Sequence, residues 1–167
     1  MKTLNILLAT VALTITANAG TITGIATSPD EQYTVTAGDT LTLQTLSGAA
    51  AATILPDCNG TIGVNWDPMS TACIISQQID SKTTLYLLTQ QAAQLQWQTN
   101  KIDDSEQVNN FYEETFQSKD LSAIKAEFAS EIKTVTEWNR EKNTATIALQ
   151  TTLKSGQVLE YSYKIGL

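Results

Sequence analysis

The C-terminal stretch from Thr144 to Ile165 constrains the fold more than any other part of the chain. Reading outward from a Lys154-Ser155-Gly156 loop, Leu149 falls opposite Tyr161, Ile147 opposite Tyr163 and Ala145 opposite Ile165. One face is then continuously apolar and the other carries Thr, Gln, Glu and Lys. A slip of one residue would turn the whole apolar set toward water, so the register is strongly specified. The spacing predicts a β-hairpin over 144–165 whose apolar face must pack on something else.

From Thr21 to Thr99 the chain is rich in Thr, with short alternating stretches between turn residues, the pattern of strands rather than helices. Asn59-Gly60 is a two-residue hairpin signal, and pairing outward from it places Ile62, Val64 and Trp66 on the face of Leu55. Asp80-Ser81-Lys82 and Gln90-Gln91-Ala92 mark further turns between strands near 72–79, 83–90 and 93–99. A two-residue Gln91-Ala92 loop sets Leu88 opposite Leu95 and Tyr86 opposite Trp97, with Gln94, Gln96 and Gln98 together on the other face. At Gly38-Asp39 a tight hairpin would oppose Tyr33 and Val35 to Thr42 and Gln44. The mismatch predicts a corner between two sheets. The segment Tyr33-Thr-Val-Thr-Ala-Gly-Asp-Thr-Leu-Thr-Leu43 resembles the opening strands of Ig-like domains, and that resemblance implies a β-sandwich with Trp66 as an inter-sheet core residue.

Beyond Asp103 the period changes. Val108, Phe111, Tyr112, Thr115 and Phe116 recur at helical spacing, with Asp104 as N-cap and Gln107 three residues on. Leu121, Ile124, Phe128 and Ile132 form a second helical face, started by Ser118 or Asp120. Val135 and Trp138 extend that face, yet Ile132-Lys-Thr-Val-Thr136 is β-branched enough to be strand, and the boundary stays open. Phe111 to Ile132 also resembles the opening helix pair of the NTF2-like family. The residues after Ile132 are too few for that family's curved sheet, so the family is not assigned.

These signals combine into an α+β, β-rich chain. Antiparallel sheets, sandwich-like in the N-terminal part, occupy 20–100, one or two amphipathic helices 104–131, and a C-terminal β-hairpin 144–165. Ahead of them, Lys2, the apolar run from Leu4 to Ile15 and Ala17-Asn18-Ala19 read as a Sec-type signal peptide over 1–19, cleaved before Gly20. The run is shorter than the roughly 20 residues of a membrane span, and no Cys stands near the cleavage point to take a lipid. The expected product is a single domain over 20–167 without a membrane anchor, periplasmic or secreted, of bacterial type.

The full chain carries 17 Asp and Glu against 10 Lys and Arg, a net charge of −7 that becomes −8 once Lys2 is removed. An acidic surface with a single Arg argues against nucleic acid and anionic lipid, and leaves a basic protein as the complementary partner. Two Cys in an exported chain predict one disulfide, Cys58 to Cys73. The chain has no His, which removes Ser-His-Asp and Cys-His catalysis and imidazole metal sites. No Gly-rich phosphate loop is present, and no cofactor is expected. Asp57, Asn59, Asn65 and Asp67 offer oxygens to calcium, but the position that must be Gly in an EF-hand loop is Ile62. Asp57 with Asp67, or Glu113 with Glu137, are the carboxylate pairs a glycoside hydrolase would need; their turn and helix contexts suit a structural role. The Trp residues fall on core faces.

The functional expectation is therefore an exported, non-catalytic protein-binding or assembly module. It would be an envelope accessory factor, a surface or pilus-associated subunit, or a periplasmic inhibitor, with Gln94, Gln96 and Gln98 as a binding surface. The alternative is a carboxylate-dependent hydrolase or binder of polysaccharide. The oligomeric state is not legible, although a strand donated by Gly20 to Thr27 offers a route to polymers.

Overall fold

The computed structural model describes residues 21–24, 26–91 and 96–167. The segment 1–19, expected to be a signal peptide, and Gln94 and Leu95 lie outside the described residues. Strand makes up 57% of the described residues, so sheet rather than helix sets the architecture. In order the elements are β1 (Thr21–Gly24), β2 (Tyr33–Ala37), β3 (Leu41–Thr45), β4 (Ala50–Leu55), β5 (Thr61–Trp66), β6 (Ala72–Ile79), β7 (Lys82–Gln91), β8 (Gln96–Lys101), α1 (Ser105–Phe116), α2 (Leu121–Ala126), β9 (Phe128–Asn139), β10 (Thr144–Leu153) and β11 (Val158–Gly166). The central sheet runs β1-β5-β6-β7-β8, a second β2-β3-β4 and a third β11-β10-β9. Neighbours are antiparallel, except that β1 lies parallel to β5.

Two cores lie on opposite faces of the central sheet. On one, Ile62, Val64, Trp66, Cys73, Ile75, Leu88 and Trp97 meet Val35, Leu41, Leu43, Ile54 and Leu55 of the second sheet. This is the sandwich-like part expected from the sequence. On the other, Ile74 and Leu85 meet Val108 and Tyr112 of α1, Ile124 of α2, and Ala145, Ile147, Leu149, Tyr163 and Ile165 of the third sheet. The run Ala72-Cys-Ile-Ile75 of β6 is apolar without alternation because this strand is covered on both sides.

The C-terminal hairpin has the expected register, with Leu149 opposite Tyr161, Ile147 opposite Tyr163 and Ala145 opposite Ile165. Two other turns exchange the roles expected of them. Gly38 to Thr40 form a three-residue hairpin loop, which restores the parity that a two-residue loop would break. Val35 pairs with Leu43 and Tyr33 with Thr45. Asn59-Gly60 is instead the corner, because β4 pairs with β3 and β5 with β6, in different sheets. Gly60 has φ +77°, and a Cβ there would lie 2.0 Å from the Gln78 carbonyl oxygen.

Between β7 and β8 the register is displaced by four residues from expectation, since four residues rather than two connect Gln91 to Gln96. Leu88 pairs with Thr99 and Gln90 with Trp97. An even displacement keeps parity, so Trp97 still faces the core. Asp120 caps α2, accepting from the Ala123 amide at 3.0 Å. The second helix is shorter than expected, ending at Ala126, and Phe128 to Asn139 is strand. The β-branched run there prefers the pleated conformation that β10 offers it.

Candidate functional site

Three loops meet at one end of the sandwich. In the first, Ser28 binds both ends of its turn: its hydroxyl donates to Asp30 Oδ1 (2.6 Å) and accepts from the Tyr33 amide (3.0 Å). In the second, the Thr45 amide donates to the Ala49 carbonyl (2.8 Å), and the Leu46 amide to Gln32 (2.9 Å). The third is built around Asp67, whose buried carboxylate accepts from the Met69 amide (3.0 Å), the Thr71 amide (3.2 Å) and the Thr71 hydroxyl (2.8 Å). Arg140 closes that turn from the loop after β9, 3.1 Å from Asp67. The Asp30 amide donates to Ser70 Oγ (3.0 Å), locking the first loop to the third.

The loops enclose an open groove of about 680 Å³. Leu46 and Met69, 76% and 67% exposed, are the two most exposed large apolar side chains among the described residues, and both line it. Tyr33 and Gln90 also line it, with Gln90 Nε2 donating to the Tyr33 hydroxyl at 3.1 Å. Asp30 contributes a charge. Slight burial pushes its pKa up, but hydrogen bonds from the Ser28 hydroxyl and the Gln32 amide outweigh this and hold the carboxyl below its ordinary value.

A second feature lies where α1 meets the third sheet. Lys133 Nζ sits 2.8 Å from Asp104 and 3.7 Å from Glu131, all three buried. The Tyr163 hydroxyl donates to Asp104, and Tyr112 to Glu131 at 2.9 Å. Thr151 shares a 2.6 Å hydrogen bond with Tyr112. The three charged groups border a cleft of about 320 Å³, rimmed by Lys82, Lys101 and Lys125. Burial first, and then the neighbouring carboxylates, push both tyrosines well above their ordinary pKa. Asp104 occupies the N-cap position of α1, but its carboxylate turns inward instead of capping.

The residues singled out from the sequence are dispersed. Gln96 and Gln98 are exposed on the face of β8 opposite Trp97, away from the groove, which Gln90 joins from the Trp97 side. Asp57 and Asp67 stand at opposite ends of β5. Glu137 accepts from Thr146 on the outer face of the third sheet, whereas Glu113 rides on α1 over the inner face. Asn65 Oδ1 accepts from Trp138 Nε1 at 2.6 Å. Among the described residues no group of His, Cys, Asp or Glu is placed to share a metal. Cys58 and Cys73 are free thiols buried in the first core, so the expected disulfide is not formed in the structure. Gln77 Nε2 donates to the carbonyls of Asp57 (3.3 Å) and Asn59 (3.1 Å), docking the Cys58 loop at the Gln77 end of β6. Burial pushes the Cys73 thiol pKa far up, making it an inert packing group.

The sequence reading missed both features, though each left a signal. Leu46 and Met69 are large apolar residues inside turn sequences, Thr-Leu-Ser-Gly and Asp-Pro-Met-Ser. Along β9 the pattern is inverted, with Glu131 and Lys133 buried and Ile132 exposed. Assigned to a helix, Ile132 counted toward the core. Comparison with protein-family models, with curated proteins and with solved structures gives no match to this chain.

Proposed function

We propose that this chain is an exported, non-catalytic binding module of the bacterial envelope or extracellular space, which holds a basic protein partner in the Leu46/Met69 groove. The exposure of those two side chains on a hydrogen-bonded platform carries the reading. An apolar patch rimmed by polar groups marks a protein contact, and loops already fixed lose little entropy on binding. The excess of acidic residues and the charged Asp30 favour a basic partner and faster encounter at low salt.

The test is capture from the producing organism's periplasmic and extracellular fractions, comparing the wild type with Leu46→Ser/Met69→Ser. A stoichiometric basic protein held by the wild type and bound roughly tenfold or more weakly by the variant supports the reading. Equal retention by both, or retention of glycan instead of protein, overturns it.

The cleft favours a second reading, a hydrolase or binder acting on envelope polysaccharide, because Asp104 and Glu131 converge there. Against it, each carboxylate is engaged by Lys133 and a tyrosine hydroxyl.

A further inference from the structure

β11 ends the third sheet, and no strand pairs with its outer side among the described residues. The direction of its backbone groups follows from the hairpin. The Leu153 amide donates to the Gln157 carbonyl (2.8 Å), so the residues of β11 that bond to β10 are the odd ones. The N–H and C=O groups of Val158, Glu160, Ser162, Lys164 and Gly166 therefore point outward, and all five residues are exposed. Such an edge is a template for another strand.

The outward side chains are antisymmetric in charge about Ser162, and from this we infer that β11 is a homodimer interface. Two copies pair antiparallel with Ser162 facing Ser162, joining two three-stranded sheets into one of six. In that register Glu160 of each copy faces Lys164 of the other, giving two opposite-charge pairs related by the twofold axis. The exposed Val158 then lies beside Gly166, which has open space where a Cβ would stand. Shifting the register by two residues along either copy loses both ion pairs. Shifting by four sets Glu160 against Glu160 or Lys164 against Lys164, so repulsion excludes the nearest charged alternatives. Lys164 alone would blunt the edge against strangers; only a strand with Glu at the matching place neutralises it. The groove contains no β11 residue, so the dimer presents two free grooves.

Sedimentation velocity on the protein as isolated from the producing cell tests this with two single charge reversals and their combination. The wild type should sediment as a dimer. Glu160→Lys and Lys164→Glu should each weaken dimerisation by roughly tenfold or more at low salt, and Glu160→Lys/Lys164→Glu should restore it. These side chains are exposed, so an unchanged circular dichroism spectrum serves as the folding control, Tm itself being expected to fall where the dimer is lost. A wild type that stays monomeric at the highest attainable concentration overturns the inference. So do single reversals that remain fully dimeric, or a double reversal that fails to restore a dimer the singles have lost.

Discussion

Tyr112 and Tyr163 carry the most informative side-chain chemistry in the second core. Each puts a hydroxyl into a buried ionic cluster, and each has its folded pKa raised, by burial first. The native state thus retains protons that the unfolded chain releases near pH 10. The stability these two groups contribute is complete below that pH and is lost as pH rises beyond it toward their folded values. A spectrophotometric titration should show two tyrosines that ionise only together with alkaline unfolding, and Tyr163→Phe should leave one. Two such groups ionising reversibly near pH 10 with the fold intact would contradict the packing described. At the same scale, Lys133 shows why a buried cluster is hard to see in one dimension. Its partner Asp104 lies on another element, far along the chain, and Asp104 also satisfied every local criterion for a helix cap.

At the scale of elements, turn geometry decided most of the outcome. The alternation of apolar and polar residues identified the strands, and it predicted the faces of Trp66 and Trp97 correctly even where the β7–β8 register was displaced. Loop length was not legible. A third loop residue made Gly38–Thr40 a hairpin, and Asn59-Gly60 became a corner because its two flanking strands found partners in different sheets. Gly60 has a tertiary role that its dipeptide signal did not convey, the close approach of its Cα to Gln78. Gly60→Ala should cost about 1–3 kcal/mol from its positive φ alone, with more from the clash. Gly156 has φ +87° but open space around it, so Gly156→Ala should cost the backbone part alone, about 1–3 kcal/mol, and less than Gly60→Ala. Urea denaturation of the two variants checks the order, and equal losses would show that the corner relaxes freely.

Over the whole molecule, the central sheet belongs to both cores. Ile74 and Ile75 are neighbours in β6, fully buried on opposite sides. A chain whose cores share one strand should unfold as one unit. Ile74→Ala and Ile75→Ala should each lower stability by about 2–5 kcal/mol and shift the same single transition, whether followed by far-ultraviolet circular dichroism or by tryptophan fluorescence. Two separable transitions would mean that the third sheet and helices form an independent unit. The backbone links at this seam are few but specific, with the Glu131 amide donating to Ser81 (2.8 Å) and the Thr83 hydroxyl to the Glu131 carbonyl (2.7 Å).

From its sequence alone this protein is a β-rich α+β chain with a registered C-terminal hairpin, a capped second helix and tryptophans on core faces. Each of these rests on periodicity or on neighbours a few residues apart, which a one-dimensional pattern records. Tertiary structure alone decided which turn is a corner and that both cysteines are buried in one core. It also decided that Leu46 and Met69 share one groove and that Lys133 stands between two buried carboxylates. These depend on which strands pair across long stretches of chain, and local residue preferences do not encode that choice.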